Sequence, residues 1–132
     1  MNKKNWSAYI LGVIFFIAVI TRLLFIFKPS IPWWDETIYI GMAKFLFSNG
    51  TLGYWEMFRP PVIPFILGLG WWVGLPIIAW GKFLTIVASL SVILLTYLVG
   101  EKVQKYAGLI AAAFITILTV FFAFGNKIFF GI

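Results

Sequence analysis

The chain has no cysteine and no histidine. Without cysteine there is no disulfide and no thiolate metal site. Without histidine the usual proton carrier near neutral pH is missing, so a general base has to be a carboxylate, a tyrosine or a lysine. Charge is scarce as well: only 11% of the 132 residues carry it, and only four are acidic. Three of those four, Asp35, Glu36 and Glu56, fall in the single stretch from Pro32 to Pro61. A chain that otherwise avoids negative charge concentrates it in one connection between apolar segments, and this concentration is the main pointer to function.

What is abundant is apolar. Hydrophobic residues make up 63% of the chain, and several runs approach the roughly 20 residues that cross a hydrocarbon layer. The chain therefore reads as an integral membrane protein. Its ten basic residues give a net charge of +6, but they stand at the ends of apolar runs and form no patch. That placement suits membrane orientation rather than a nucleic-acid partner. The aromatic content of 20% includes Trp33, Trp34, Trp55, Trp71, Trp72 and Trp80 near the ends of the runs, where interfacial belts form.

Asn2, Lys3 and Lys4 precede an apolar run over residues 8–27. The run is long for a signal peptide, and residues 22–30 offer no small-x-small cleavage site, so it predicts an uncleaved first span. Arg22 lies near its outer end, placed to snorkel to the interface or to point toward the following loop. Pro29 and Pro32 end this helix. Asp35 and Glu36 then precede a short helix over Thr37–Phe47, as N-cap and first-turn acid if their role is only structural. Asn49-Gly50 supplies its stop, and Thr51–Phe58 reads as a loop.

Pro60 and Pro61 suit the first turn of another helix, whose apolar run reaches Leu75. About 15 residues long and interrupted by Pro64, Gly68, Gly70 and Gly74, this run falls in the length class of interfacial or re-entrant helices. Lys3 and Lys4 place the N-terminus inside. Lys102 and Lys105 also fall inside only if the Pro61 run does not cross and the second crossing is 78–99. A third span covers 107–124, where Ala107, Gly108, Ala111 and Ala112 permit close helix packing. The expected fold is thus all-α integral membrane: three transmembrane helices at about 8–27, 78–99 and 107–124, and an outer loop, about 28–77, carrying two interfacial or re-entrant helices. The N-terminus is cytoplasmic and the Asp35 loop extracytoplasmic, in a plasma or ER-type membrane. Gly125–Ile132, with Lys127, begins a further segment without a cap, so residues 1–132 are expected to be the N-terminal part of a polytopic domain.

Asp35 and Arg59 would meet at one membrane interface. A carboxylate can take the proton of an attacking hydroxyl, and a guanidinium can hold two phosphate oxygens. Together they suit sugar transfer from a polyprenyl phosphate. At this point the ordered set Arg22, Asp35-Glu36, Tyr39, Ala43, Gly50 and Arg59-Pro60-Pro61, followed by Gly100-Glu101-Lys102 and Tyr106-Ala107-Gly108-Leu109, resembles the first spans of the GT-C superfamily of membrane glycosyltransferases. That superfamily includes protein O-mannosyltransferases and aminoarabinose transferases.

The resemblance implies an inverting transferase that takes a sugar from a dolichyl or undecaprenyl phosphate on the outer membrane face and passes it to an acceptor protein or lipid glycan. It implies Asp35 as the catalytic acidic residue, acting as base or acceptor-positioning group and supported by Glu36, with Mg²⁺ or Mn²⁺ as the divalent cation these oxygens would hold. Arg59 would contact the carrier phosphate, and Tyr39 and Arg22 would bind substrate. Such enzymes have many more spans and a second acidic outer loop. The chain is therefore expected to be about the N-terminal quarter to third of an enzyme, inactive without the remaining spans or a partner subunit, and poorly ordered between Pro29 and Pro76 when alone. Two other readings stand beside this one: a small non-catalytic membrane protein that binds a lipid phosphate or a larger membrane partner, and a fragment without function.

Overall fold

In the computed structural model, the described residues are 3–26, 32, 34–104 and 106–129, with side chains at 6–24, 32, 34–104 and 106–118. The expectations placed on Asn2, Pro29, Trp33, Lys105 and residues 130–132, and on the side chains of Lys3, Lys4 and Lys127, lie outside them. The described residues form five helices and no strand: α1 (Lys3–Ile26), α2 (Trp34–Phe47), α3 (Val62–Trp72), α4 (Ile77–Val103) and α5 (Ala107–Phe129).

Two of these are long and apolar enough to cross a membrane, Trp6–Leu24 within α1 and Ile77–Val103. Only 11% and 6% of their apolar windows are buried, so among the described residues little covers these apolar surfaces. α5 follows the expected third run as a helix, but its described apolar segment is Ala107–Leu118. Among the described residues, two helices are long and apolar enough to cross a membrane.

The chain divides into two compact units, residues 1–27 with 86–132, and residues 28–85. In the first, Ala18 of α1, Ile93 of α4 and Ala112 of α5 are fully buried together, ringed by Phe15, Leu90, Tyr97 and Ile115. Two of the three core residues are alanines, and small side chains are what let helix backbones approach without a hydrophobic driving force. At the α4–α5 turn Gly108 lies against the Tyr97 carbonyl and Gly100, where a β-carbon would collide.

The second unit is built on α2 against α3. Ile38, Gly41, Met42 and Ala43 are buried on α2, and Pro64, Leu67, Gly68 and Gly70 on α3. Gly68 faces the Phe47 ring and the Ala43 carbonyl so closely that any β-carbon there would clash. Phe47 and Phe65 meet at 5.6 Å between ring centroids. Trp80 covers Gly70 and donates its indole N–H to the Ile66 carbonyl at 3.0 Å, so it packs onto α3.

The helix boundaries follow local chemistry. α2 begins at Trp34, three residues earlier than expected, so Asp35 is not its N-cap; Asp35 and Glu36 both sit in the first turn, where carboxylates oppose the positive end of the helix dipole. α2 stops at Asn49 and Gly50, with φ of 53° and 78°, and the Gly50 N–H donates to Phe45 O at 3.0 Å. Pro61 precedes α3 as its N-cap instead of lying inside it. α3 ends at Trp72, before the expected Leu75, because Gly74 takes φ 89° and Leu75 N–H returns to Gly70 O at 2.9 Å. Its 11 residues span roughly 16 Å, about half a hydrocarbon core.

Candidate functional site

α2 presents Asp35 and Tyr39 one helical turn apart, which puts them on one face. α3 is preceded by the turn that carries Glu56 and Arg59, and the packing of α2 on α3 brings that turn onto the same face. Arg59 Nη2 lies 2.8 Å from Asp35 Oδ1. Its Nε donates to Glu56 Oε2 at 3.3 Å, and its guanidinium carbon stands 5.4 Å from the centre of the Tyr39 ring. One cation is therefore held by two carboxylates and a phenol ring, a charge-assisted fork with an added cation–π contact. Hydrogen bonding to Tyr39 and to Asp35, together with the nearby negative charge, raises the Arg59 pKa above its already high ordinary value. Arg59 is a fixed positive charge at any physiological pH.

The cluster is accessible. The Asp35 side chain is 54% exposed, against 26% for Arg59. Exposed ion pairs contribute little to folding, because water solvates the separated charges nearly as well. Stability is thus a poor reason for building this one, and reach from outside is a better one. Asp35 and Glu56 are two carboxylates on one guanidinium, so these three described side chains together carry one net negative charge.

Asp35, Tyr39 and Arg59, expected as site residues, are brought together. Glu36 is exposed at the next helix position, turned by about 100° from Asp35. A resident Mg²⁺ or Mn²⁺ needs several oxygens converging on one point. Among the described residues no three carboxylate, imidazole or thiol side chains converge, and a guanidinium already holds Asp35. These residues fit the arginine and do not by themselves fit a divalent cation. Glu56 is a member of the cluster that the sequence does not single out as a site residue. The available signal is its i,i+3 spacing to Arg59 across a turn, but turn geometry decides whether such a pair closes.

Arg22 belongs to the other unit. It is only 7% exposed: Nε donates to Ser89 Oγ of α4 at 2.6 Å, and Nη1 to Ala18 O at 3.0 Å. Its Nη2 is buried without a hydrogen-bond partner among the described residues. A guanidinium whose described partners are neutral oxygens, inside an apolar helix cluster, is costly in a membrane. Arg22→Leu is expected to make insertion of α1 more favourable, by about 3 to 4 kcal/mol at a central position and less toward a helix end. Glycosylation-tag insertion assays measure that free energy directly. An unchanged insertion efficiency would mean the arginine is already solvated.

Comparison with protein-family models, with curated proteins and with solved structures gives no match.

Proposed function

We propose that this chain supplies the carrier-phosphate and acceptor-activating residues of an inverting membrane glycosyltransferase that uses a polyprenyl-phosphate-linked sugar. The reading draws on the resemblance to GT-C enzymes and, above all, on one observation: an accessible carboxylate and guanidinium, Asp35 and Arg59, held 2.8 Å apart. In the proposal α1, α4 and α5 cross the bilayer with the N-terminus cytoplasmic, and α3 lies at the outer interface.

The chemistry follows from competition for one cation. The carrier phosphate takes Asp35's place on the Arg59 fork, because planar bidentate recognition suits phosphate as well as carboxylate. Asp35, released, accepts the proton of the acceptor hydroxyl within about 2.6 to 3.2 Å. The hydroxyl oxygen then bonds to the anomeric carbon as the bond from that carbon to the phosphate oxygen breaks. The electron pair leaves with the polyprenyl phosphate, whose charge Arg59 stabilises, and attack from the opposite face inverts the anomeric centre. Tyr39 keeps the guanidinium in place, while Arg22, bonded to Ser89, is left outside this site.

The test is transfer by the chain in bilayers together with the further spans that the resemblance implies, supplied with isotopically labelled polyprenyl-phosphate sugar. Released polyprenyl phosphate and a product of inverted anomeric configuration are expected, read by mass spectrometry and NMR. Retention of configuration, or hydrolysis without an acceptor product, would remove the proposal.

A further inference from the structure

The turn that carries Arg59 has a second feature, which the transfer chemistry does not use. Met57 and Phe58 are 87% and 97% exposed, the most exposed large apolar side chains among the described residues. Single exposed apolar residues are ordinary, but these two are consecutive and project from a loop that is otherwise fastened down. On its N-terminal side the Tyr54 ring lies over Gly41, and Trp55 meets Phe45 at 6.3 Å between ring centroids. Gly53, at φ 81°, passes so close to the Gly41 carbonyl that no side chain fits there. Glu56 and Arg59, bonded at 3.3 Å, then clip the two ends of the four-residue turn together. The Met-Phe tip is pushed outward from a braced base.

We propose that Met57 and Phe58 form a wedge that inserts into the hydrocarbon edge of the bilayer and sets Arg59 and Asp35 at the level of the lipid phosphates. Three observations favour lipid over a protein partner. α1 and α4 already carry apolar surfaces of crossing length that are almost bare, so a bilayer is at hand. Three residues after the wedge, α3 begins with further exposed apolar side chains, Val62, Ile63 and Phe65, each exposed by half or more. The neighbouring exposed rings, Tyr54, Trp55 and Trp34, are of the types that collect at headgroup depth. Because the adjoining cluster is net negative, anionic headgroups do not draw it in. Attachment is hydrophobic, the side chains reaching about 5 to 10 Å into the headgroup–acyl boundary. This inference needs the chain to lie in a membrane, and it stands whether or not the chain transfers sugar.

The absence of cysteine makes the test direct. Single variants Phe58→Cys, Met57→Cys, Thr51→Cys and Val92→Cys carry a nitroxide in the full chain reconstituted into phosphatidylcholine bilayers, and collision with oxygen is compared with collision with a water-soluble nickel chelate. Labels at 57 and 58 are expected to favour oxygen as the α4 label at 92 does, equally with or without anionic lipid and in high salt, while the label at 51 favours nickel. Phe58→Asp should return the label at 57 to water, and Glu56→Gln should broaden its depth by loosening the clip. Labels at 57 and 58 that match position 51 would overturn the wedge. Protection from both reagents would overturn it too, since a protein surface would then cover the tip.

Discussion

Asp35→Asn is expected to abolish sugar transfer while the variant still inserts in the membrane and holds its carrier more tightly than the original chain. Asparagine keeps the size and the hydrogen-bonding outline of aspartate but cannot accept a proton from the acceptor hydroxyl. Loss of a positioned general base costs about 10²- to 10⁴-fold in rate. Asp35 is also the group from which the carrier phosphate must take Arg59, across 2.8 Å. Neutralising it removes the competitor, so affinity for polyprenyl phosphate should rise as turnover falls. The opposed directions are the signature. Steady-state transfer with the completed enzyme gives one, and native mass spectrometry or fluorescence titration with polyprenyl phosphate gives the other. Wild-type turnover in this variant would end the catalytic assignment. Tighter carrier binding, with no transfer detectable from the original chain under any condition, would favour the non-catalytic lipid-phosphate binder.

Arg59→Ala should act in the other direction on binding. Its fork carries the only positive charge that bonds Asp35 and Glu56 in the described geometry, and truncation leaves two carboxylates facing an incoming phosphate. Carrier affinity is expected to fall about ten- to a hundredfold, the range for losing hydrogen bonds to a charged group, and part of the loss should return as salt screens the repulsion. Arg59→Lys keeps the charge but not the bidentate fork, and a single ammonium cannot reach Asp35, Glu56 and a phosphate in one plane. Its affinity should fall between those of the original chain and the alanine variant. Carrier binding that is indifferent to all three side chains would place the phosphate elsewhere. Since Arg59 is fully charged throughout, neither effect should vary with pH through its own titration.

Much of the architecture is legible in the amino-acid order because it is local. The apolar lengths of α1 and α4, the Asn49-Gly50 stop, and the shortness of the segment between Pro61 and Gly74 depend on periodicity, turn residues and proline, each acting over a few positions. The boundaries that differ from expectation do so for equally local reasons. Trp34 and the two acids are compatible with a first turn as well as with a cap, and the positive φ of Gly74 goes with the return of Leu75 to Gly70. The metal expectation rests on two adjacent carboxylates, and adjacency in a helix separates side chains rather than converging them.

Composition and spacing are enough to establish that the chain is helical, that two segments are apolar enough to cross a membrane, and that acid and arginine share one connection. They suffice because the backbone hydrogen bonds of a helix are satisfied within the segment. Which distant polar groups meet is set by tertiary packing. Arg22 turns to Ser89, 67 residues away, because the alanines at 18 and 112 let α1, α4 and α5 close around Ile93. Arg59 reaches Asp35 because Gly41 and Gly68 give way to Tyr54 and Phe47, so that α2 and α3 lie close enough for a turn on one to bond the first turn of the other. Contacts between distant residues depend on how closely packed surfaces can approach, and that distance is set by the missing side chains of a few glycines and the small ones of alanines.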